Sequence, residues 1–199
     1  MVKPTPQPEF SLPSLKGRDR DEFARLVDFF STPIYRLALR MLGYPQDAED
    51  VLQETFIKAY KALPSFEGRS SLSTWLYRIA VNEALMHLRQ RQPGQVSIDE
   101  DLETEDGERE PIQIVDWKGL PEDELLSAET RKSLDHAIRR LPVTLRSVFI
   151  LRDIEGLSVR ETAEALEVNE AVVKTRLLRA RLWLREQLSA YFSERKMER

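Results

Sequence analysis

The 199-residue sequence contains no cysteine, so disulfides and thiolate metal sites are excluded. It has only two histidines, His87 and His136, and their wide separation argues against a zinc site. Aromatic residues make up 8% of the chain and glycines number seven, with no phosphate-cradling glycine loop among them. No apolar run approaches the ~18 residues of a membrane span. The N-terminal MVKPTPQPEFSLPSLKGR has no signal-peptide core. These absences, with no visible nucleophile–base pair, make an enzyme the least supported class. The expectation is a soluble, cytoplasmic, non-enzymatic protein without cofactor, metal or small-molecule substrate.

Charge is abundant at 32% of residues, and its distribution carries information. The net charge is −4, but residues 97–124 hold twelve acidic and two basic residues. The remainder of the chain is therefore at +6. Two basic bodies flanking an acidic segment form the kind of asymmetry that points to nucleic acid.

Helical periodicity runs from about Asp19 to Gln92 and again from about Leu125 to Tyr191, with no strand alternation and no internal repeat. The fold expected is all-α: two small helical domains joined by a flexible acidic linker. Its boundaries are a disordered tail over 1–17, a first domain over 18–95, the linker over 96–127, a second domain over 128–191 and a tail over 192–199. The stretch from Pro93 to Glu124, with Pro111 and Pro121 along it, has too little apolar content to fold alone.

The stretch LSVRETAEALEVNEAVVKTRLLRAR has the layout of a helix-turn-helix. Ser158 with Glu161 makes a capping box, Glu167-Val168 a short turn, and Asn169 an N-cap for a second helix. On that helix Val173, Leu177, Ala180 and Leu184 form the apolar stripe. Lys174, Thr175, Leu178 and Arg179 face outward, with Arg176 and Arg181 at the edges. Arg and Lys there suit guanine edges or phosphates, and Leu178 suits a thymine methyl. The plain alternative is a solvated basic face with Leu178 covered by a neighbouring helix.

Two further stretches stand out in the first domain. In DAEDVLQETFIKAYKAL, with Asp47 as the expected cap, Val51, Leu52, Thr55, Phe56, Ala59, Ala62 and Leu63 form a buried face. The opposite face carries Asp50, Gln53, Glu54, Lys58 and Lys61 around Ile57, an arrangement that suits protein docking, although single exposed Ile residues are common. In FEGRSSLSTWLYRIAVNEALMHLRQRQ a loop rich in Gly and hydroxyl residues leads into a helix. Trp75, Arg78, Asn82 and Arg89 line one edge of that helix. Aromatic, guanidinium and amide groups so interleaved suit single-stranded nucleic acid, while Trp75 as a core anchor is the plainer reading.

These three blocks, in this order, resemble the sigma-70 family of bacterial transcription initiation factors, and within it the compact extracytoplasmic-function class. The first block resembles region 2.2, the second regions 2.3–2.4, and LPVTLRSVFILRDIEGLSVRETAEALEVNEAVVKTRLLRAR resembles region 4. The resemblance implies that Asp50, Gln53, Glu54, Ile57 and Lys58 dock on the beta-prime clamp helices of core RNA polymerase, with region 4 at the beta flap. It implies that the loop Phe66, Gly68, Arg69, Ser70 and Ser71, together with Trp75, Arg78, Asn82 and Arg89, meets the melted minus-10 strand. Lys174, Thr175, Arg176, Leu178 and Arg179 would meet the minus-35 element. The acidic linker takes the place of region 3.2. An anti-sigma partner, often at the membrane, is implied as well. The chain departs from the family where Glu167 stands in the short turn, often Gly, and where Ala171-Val172 replaces a common Gly-Thr. A two-domain duplex-DNA regulator and a polymerase-binding adaptor are the competing readings.

Overall fold

A computed structural model describes residues 8–91 and 128–197. The segment expected to be the acidic linker lies outside the described residues. Those described form eight α-helices, a 3-10 turn and a π-helical turn, and no strand. The first unit holds α1 (Leu12–Lys16), α2 (Arg20–Leu42), α3 (Pro45–Ala62) and α4 (Leu72–Arg91). The second holds α5 (Ala128–Arg140), α6 (Val143–Phe149), α7 (Val159–Leu166) and α8 (Glu170–Met197).

Local chemistry sets most helix ends. Asp19 caps α2 by accepting the Glu22 N–H at 2.9 Å, and Gly43 closes it in the left-handed conformation at φ 83°. That backbone region costs glycine nothing, because it has no Cβ to clash. Asp47 is not the cap of α3. The helix starts at Pro45, whose missing N–H is no loss at the first helical position. Asp47 lies inside the first turn, buried, and pairs with Arg91 at 2.6 Å. The Arg91 guanidinium also sits 4.7 Å from the Tyr44 ring centroid, so the end of α4 is tied to the start of α3.

The expected disordered tail is corrected for residues 8–17. Ser11 caps α1, Leu15 is fully buried, and the Ser11 N–H donates to the buried Glu22 carboxylate at 2.7 Å. Phe10 packs against Phe29 and Phe30. Two apolar side chains among polar neighbours gave too short a pattern to stand out in the sequence. At the other end, α8 continues to Met197, past the expected limit at Tyr191.

The first unit is built around Leu26, Ile34, Leu37, Met41, Val51, Leu76 and Ala80, all inaccessible to solvent. The second packs Ile138, Leu141, Val148 and Leu151 against the α8 stripe Val173, Leu177, Ala180 and Leu184. The two cores adjoin, because α7 lies between α4 and α8, and α5 and α6 touch α2. Arg146 fastens the junction. Its Nη1 donates to the Met41 carbonyl at the end of α2, and its Nε and Nη2 donate to the Leu141 carbonyl. These bonds satisfy a guanidinium whose burial pulls its pKa down.

Candidate nucleic-acid and polymerase interfaces

On α3, Val51, Thr55, Phe56 and Ala59 are buried, and Thr55 returns its hydroxyl to the Val51 carbonyl. The spacing i, i+3, i+4, i+7 places Asp50, Gln53, Glu54 and Ile57 together on the outer face, where all four are exposed. Ile57 is 45% exposed, one of few large apolar side chains so open. Lys58 sits differently. It is half-buried and its ammonium lies 2.6 Å from Glu83 on α4, a carboxylate that is nearly inaccessible. Lys58 thus ties α3 to α4.

The loop before α4 divides into anchors and open positions. Phe66 is buried, with its ring 4.8 Å from that of half-buried Trp75, so this pair pins the loop to the helix. Gly68 is exposed with φ 73°, a left-handed turn that a Cβ would strain although no neighbour crowds it. Arg69 pairs with Glu67 inside the loop. Ser71 caps α4, accepting the Thr74 N–H at 3.1 Å, and its hydroxyl also meets those of Ser73 and Thr74. Ser70 is half-buried, and Asn82 and Arg89 are exposed along α4.

Arg78 is exposed on the same edge, but its guanidinium is paired with Glu167 of the second unit. Next to it, the buried Tyr77 hydroxyl donates to Glu155 at 2.9 Å, and Thr74 reaches Glu161 at 3.4 Å. Burial pushes the Tyr77 phenol well above its ordinary range, and the Glu155 charge adds to this. Burial also raises the Glu155 carboxyl, although Tyr77, Arg40 and Arg36 pull the other way. Burial of Glu161 acts upward too, but bonds from Ser158 and Thr74 outweigh it and leave its pKa lowered.

The helix-turn-helix forms as its caps dictate. The Ser158–Glu161 capping box is complete, and Asn169 Oδ1 accepts the Val172 N–H at 2.8 Å. Glu167 ends α7 in the left-handed conformation at φ 56°. Lys174 and Arg179 are exposed on α8; Thr175, Arg176 and Leu178 are half-buried. Burial lowers the pKa of Arg176. Arg181 is held back from this face: Nε and Nη2 grip Asp153 of the π-helical turn at 2.8 and 2.7 Å. The bond to Asp153 raises its pKa despite partial burial.

Sequence reasoning missed Tyr77, Thr74, Glu155 and Glu83 as polar partners. Each belongs to a pair far apart in the chain, and helical periodicity carries no signal for such pairs. Asn82 and Arg89 share a helix with Arg78 but take no part in its contact with Glu167.

Comparison with known proteins agrees with this layout. The family model for Sigma-70 region 2 matches residues 26–93, and that for Sigma-70, region 4 matches residues 131–184. The chain is 40% identical over 174 residues to the ECF RNA polymerase sigma factor SigW of Bacillus subtilis, covering 87% of this chain and 92% of that protein. It is 37% identical to the ECF RNA polymerase sigma-E factor of Haemophilus influenzae, covering 82% of this chain and 85% of that one. Among solved structures, the sigma factor RpoE of Bartonella quintana, in complex with the anti-sigma factor NepR, superposes with a TM-score of 0.62 at 25% identity. The match covers 85% of this chain and 98% of that one. CnrH, in complex with the cytosolic domain of CnrY, shares the fold with a TM-score of 0.63 at 22% identity, over 90% of this chain and 95% of that one. With both regions matched in order and relatives aligned over nearly their whole length, the chain belongs to the sigma-70 family of RNA polymerase sigma factors, in its extracytoplasmic-function (ECF) class.

Proposed function

We propose that this chain is an alternative sigma factor that joins core RNA polymerase, recognises minus-10 and minus-35 elements through separate faces, and helps to melt the promoter. The observation that carries the reading is the separation of three exposed faces on α3, α4 and α8, in the family's order. The face Asp50–Gln53–Glu54–Ile57 would dock on the clamp helices, because an open apolar side chain ringed by polar groups suits a protein contact. Lys58 would act there mainly by holding α3 on α4.

Gly68, Arg69 and Ser70, with Arg78, Asn82 and Arg89, would receive the unpaired minus-10 strand, while Phe66 and Trp75 hold the loop in place and Ser71 caps the helix. Capturing a base out of the stack favours sequences that unpair easily. Lys174 and Arg179, with Thr175, Arg176 and Leu178 beside them, would enter the major groove at the minus-35 element. Region 2 is taken as 18–95 and region 4 as 128–191, with 96–127 as the connector between them. Such a factor works in the cytoplasm, and an anti-sigma protein is its natural regulator.

In vitro transcription tests the reading. Purified full-length chain and bacterial core RNA polymerase are incubated with pooled genomic fragments, and transcript starts are mapped. Discrete transcripts that require the chain are expected, with two shared sequence elements upstream of the starts. No association with core polymerase would overturn the proposal and favour a duplex-DNA regulator; association without transcripts would favour an adaptor.

A further inference from the structure

The N-terminal helix lies outside the matched region. The Sigma-70 region 2 match begins at residue 26, and α1 (Leu12–Lys16) precedes it. The helix is nevertheless firmly seated. Leu15 is fully buried, Phe10 packs on Phe29 and Phe30, and the Ser11 N–H reaches Glu22. On its other side α1 meets the 3-10 turn Leu63–Ser65, which leads directly into the loop Phe66–Ser71. Tertiary packing thus sets α1 beside a loop far along the chain.

The turn after α1 carries a non-glycine residue in the left-handed conformation. Arg18 stands at φ 61°, where glycine would be unstrained. Its guanidinium lies over the ring of Tyr60, near the end of α3, 5.6 Å from the centroid. Phe23 meets the same ring at 4.9 Å and steadies it. Lys16 precedes Arg18 by two residues and Lys61 follows Tyr60; both lysines and Arg18 are exposed. Among the described residues none of these three cations has an ion-pair partner, whereas Arg25, Lys58, Arg69, Arg78 and Arg91 all do. Asp19, the neighbouring acid, caps α2.

We propose that Lys16, Arg18 and Lys61, with Tyr60 holding Arg18 in place, form a further nucleic-acid site. It takes the single strand immediately beyond the minus-10 bases received by the loop. Uncommitted cations meet the phosphates, and a guanidinium plane backed by an aromatic ring offers a face on which an unpaired base stacks. A strand leaves the loop in two directions. One runs along the exposed stripe of α4; the other passes the 3-10 turn and reaches this platform. Between the minus-10 element and the start site the DNA is unpaired once the promoter melts, so a single-strand site belongs there. The proposal rests on the loop assignment given above.

The test uses the full chain assembled with core polymerase. A photoreactive aryl azide is attached before assembly through R20C, an exposed position beside the platform, or through S70C in the loop. The lack of cysteine in the chain makes each label unique within it. The probe is a promoter fragment from the transcript mapping above, with its strands left unpaired from the minus-10 element to the start. S70C should crosslink to the minus-10 bases and R20C to nucleotides between them and the start. Crosslinking from S70C alone, or from R20C only to upstream duplex, would overturn the platform. No crosslink from either would sink the loop assignment and the platform with it.

Affinity gives a second readout. Two fluorescent single strands are titrated, one ending at the last minus-10 base and one about five nucleotides longer. The native complex is expected to bind the longer strand about three- to tenfold more tightly. R18G/K61Q should lose that gain and bind the short strand as the native complex does; R18G relaxes the backbone, so strain does not confound the result. A retained gain would overturn the proposal. Weaker association of R18G/K61Q with core polymerase would also overturn it, by making the patch a protein-docking surface.

Discussion

At the residue scale, the junction between the two units turns on a few polar groups in low-dielectric surroundings. The Tyr77–Glu155 bond is the most buried of them, and its energetics have a definite pH sign. In the folded chain Glu155 holds its proton to higher pH than an exposed carboxyl does, because burial disfavours its charge. The folded state therefore binds more protons than the unfolded state above the ordinary carboxylate range. Over that window this group's contribution to stability falls as pH rises. Glu161 has the opposite sign: its lowered pKa gives stability that is lost only as pH falls below the ordinary range. E155Q keeps an acceptor for Tyr77 and removes the titration. Urea midpoints measured from pH 4.5 to 7 should fall less steeply with pH in E155Q than in the native chain; identical slopes would show that Glu155 does not titrate there.

At the element scale, the arginines on α8 divide by what they touch. Arg181 makes two charge-assisted bonds to Asp153 and so holds the π-helical turn against α8. R181A should lower unfolding stability by roughly 1.5–3 kcal/mol, since a hydrogen-bonded ionic partner is left behind. Arg179 is exposed, and R179A should change stability by less than about 0.5 kcal/mol. It should instead weaken duplex binding and, if it meets a phosphate, reduce the salt dependence of that binding by about one charge. Denaturation curves and salt-dependent titrations of both variants distinguish the two roles. The same division holds on α3. K58M strips the partner from nearly buried Glu83 and should cost about 1–3 kcal/mol. I57A removes a half-open side chain and should leave stability nearly unchanged while weakening co-purification with core polymerase.

At the scale of the whole molecule, the close packing of the two units is incompatible with the promoter contacts proposed for α4 and α8. The names of the two promoter elements put them roughly 25 base pairs apart, or about 85 Å of B-form DNA at ~3.4 Å per pair. Here α4 and α7 touch, and α8 begins directly after α7. No rigid closed form spans that distance. On the proposed assignment the units must part, and the exposed ion pair at the junction adds little resistance. The Arg78–Glu167 pair is about half exposed on both sides, and such pairs contribute only ~0–1 kcal/mol. The remaining cost of opening lies in the apolar contact and the bonds of Tyr77 and Arg146. Small-angle scattering should therefore give a larger radius of gyration for the chain once bound to polymerase, extracted by contrast matching, than for the free chain. Equal values would mean that the closed form persists in the holoenzyme.

Much of this was legible in the sequence. The caps Ser158, Glu161 and Asn169 act within a few residues of themselves, so local pattern sufficed to place the helix-turn-helix. The α8 stripe Val173–Leu177–Ala180–Leu184 and the buried face of α3 followed from period 3.6, because burial of one face is what stabilises a short helix. The left-handed Glu167 was legible as a departure from glycine. Tertiary structure alone decided the rest. It ordered Leu12–Lys16 by burying Leu15, started α3 at Pro45, and turned Phe66 inward onto Trp75. It also spent Lys58 on Glu83, Arg181 on Asp153 and Arg78 on Glu167. A sequence displays which groups are charged and how they repeat along a helix. Which charges meet depends on the approach of surfaces tens of residues apart, and that approach is fixed by the packing of the two cores.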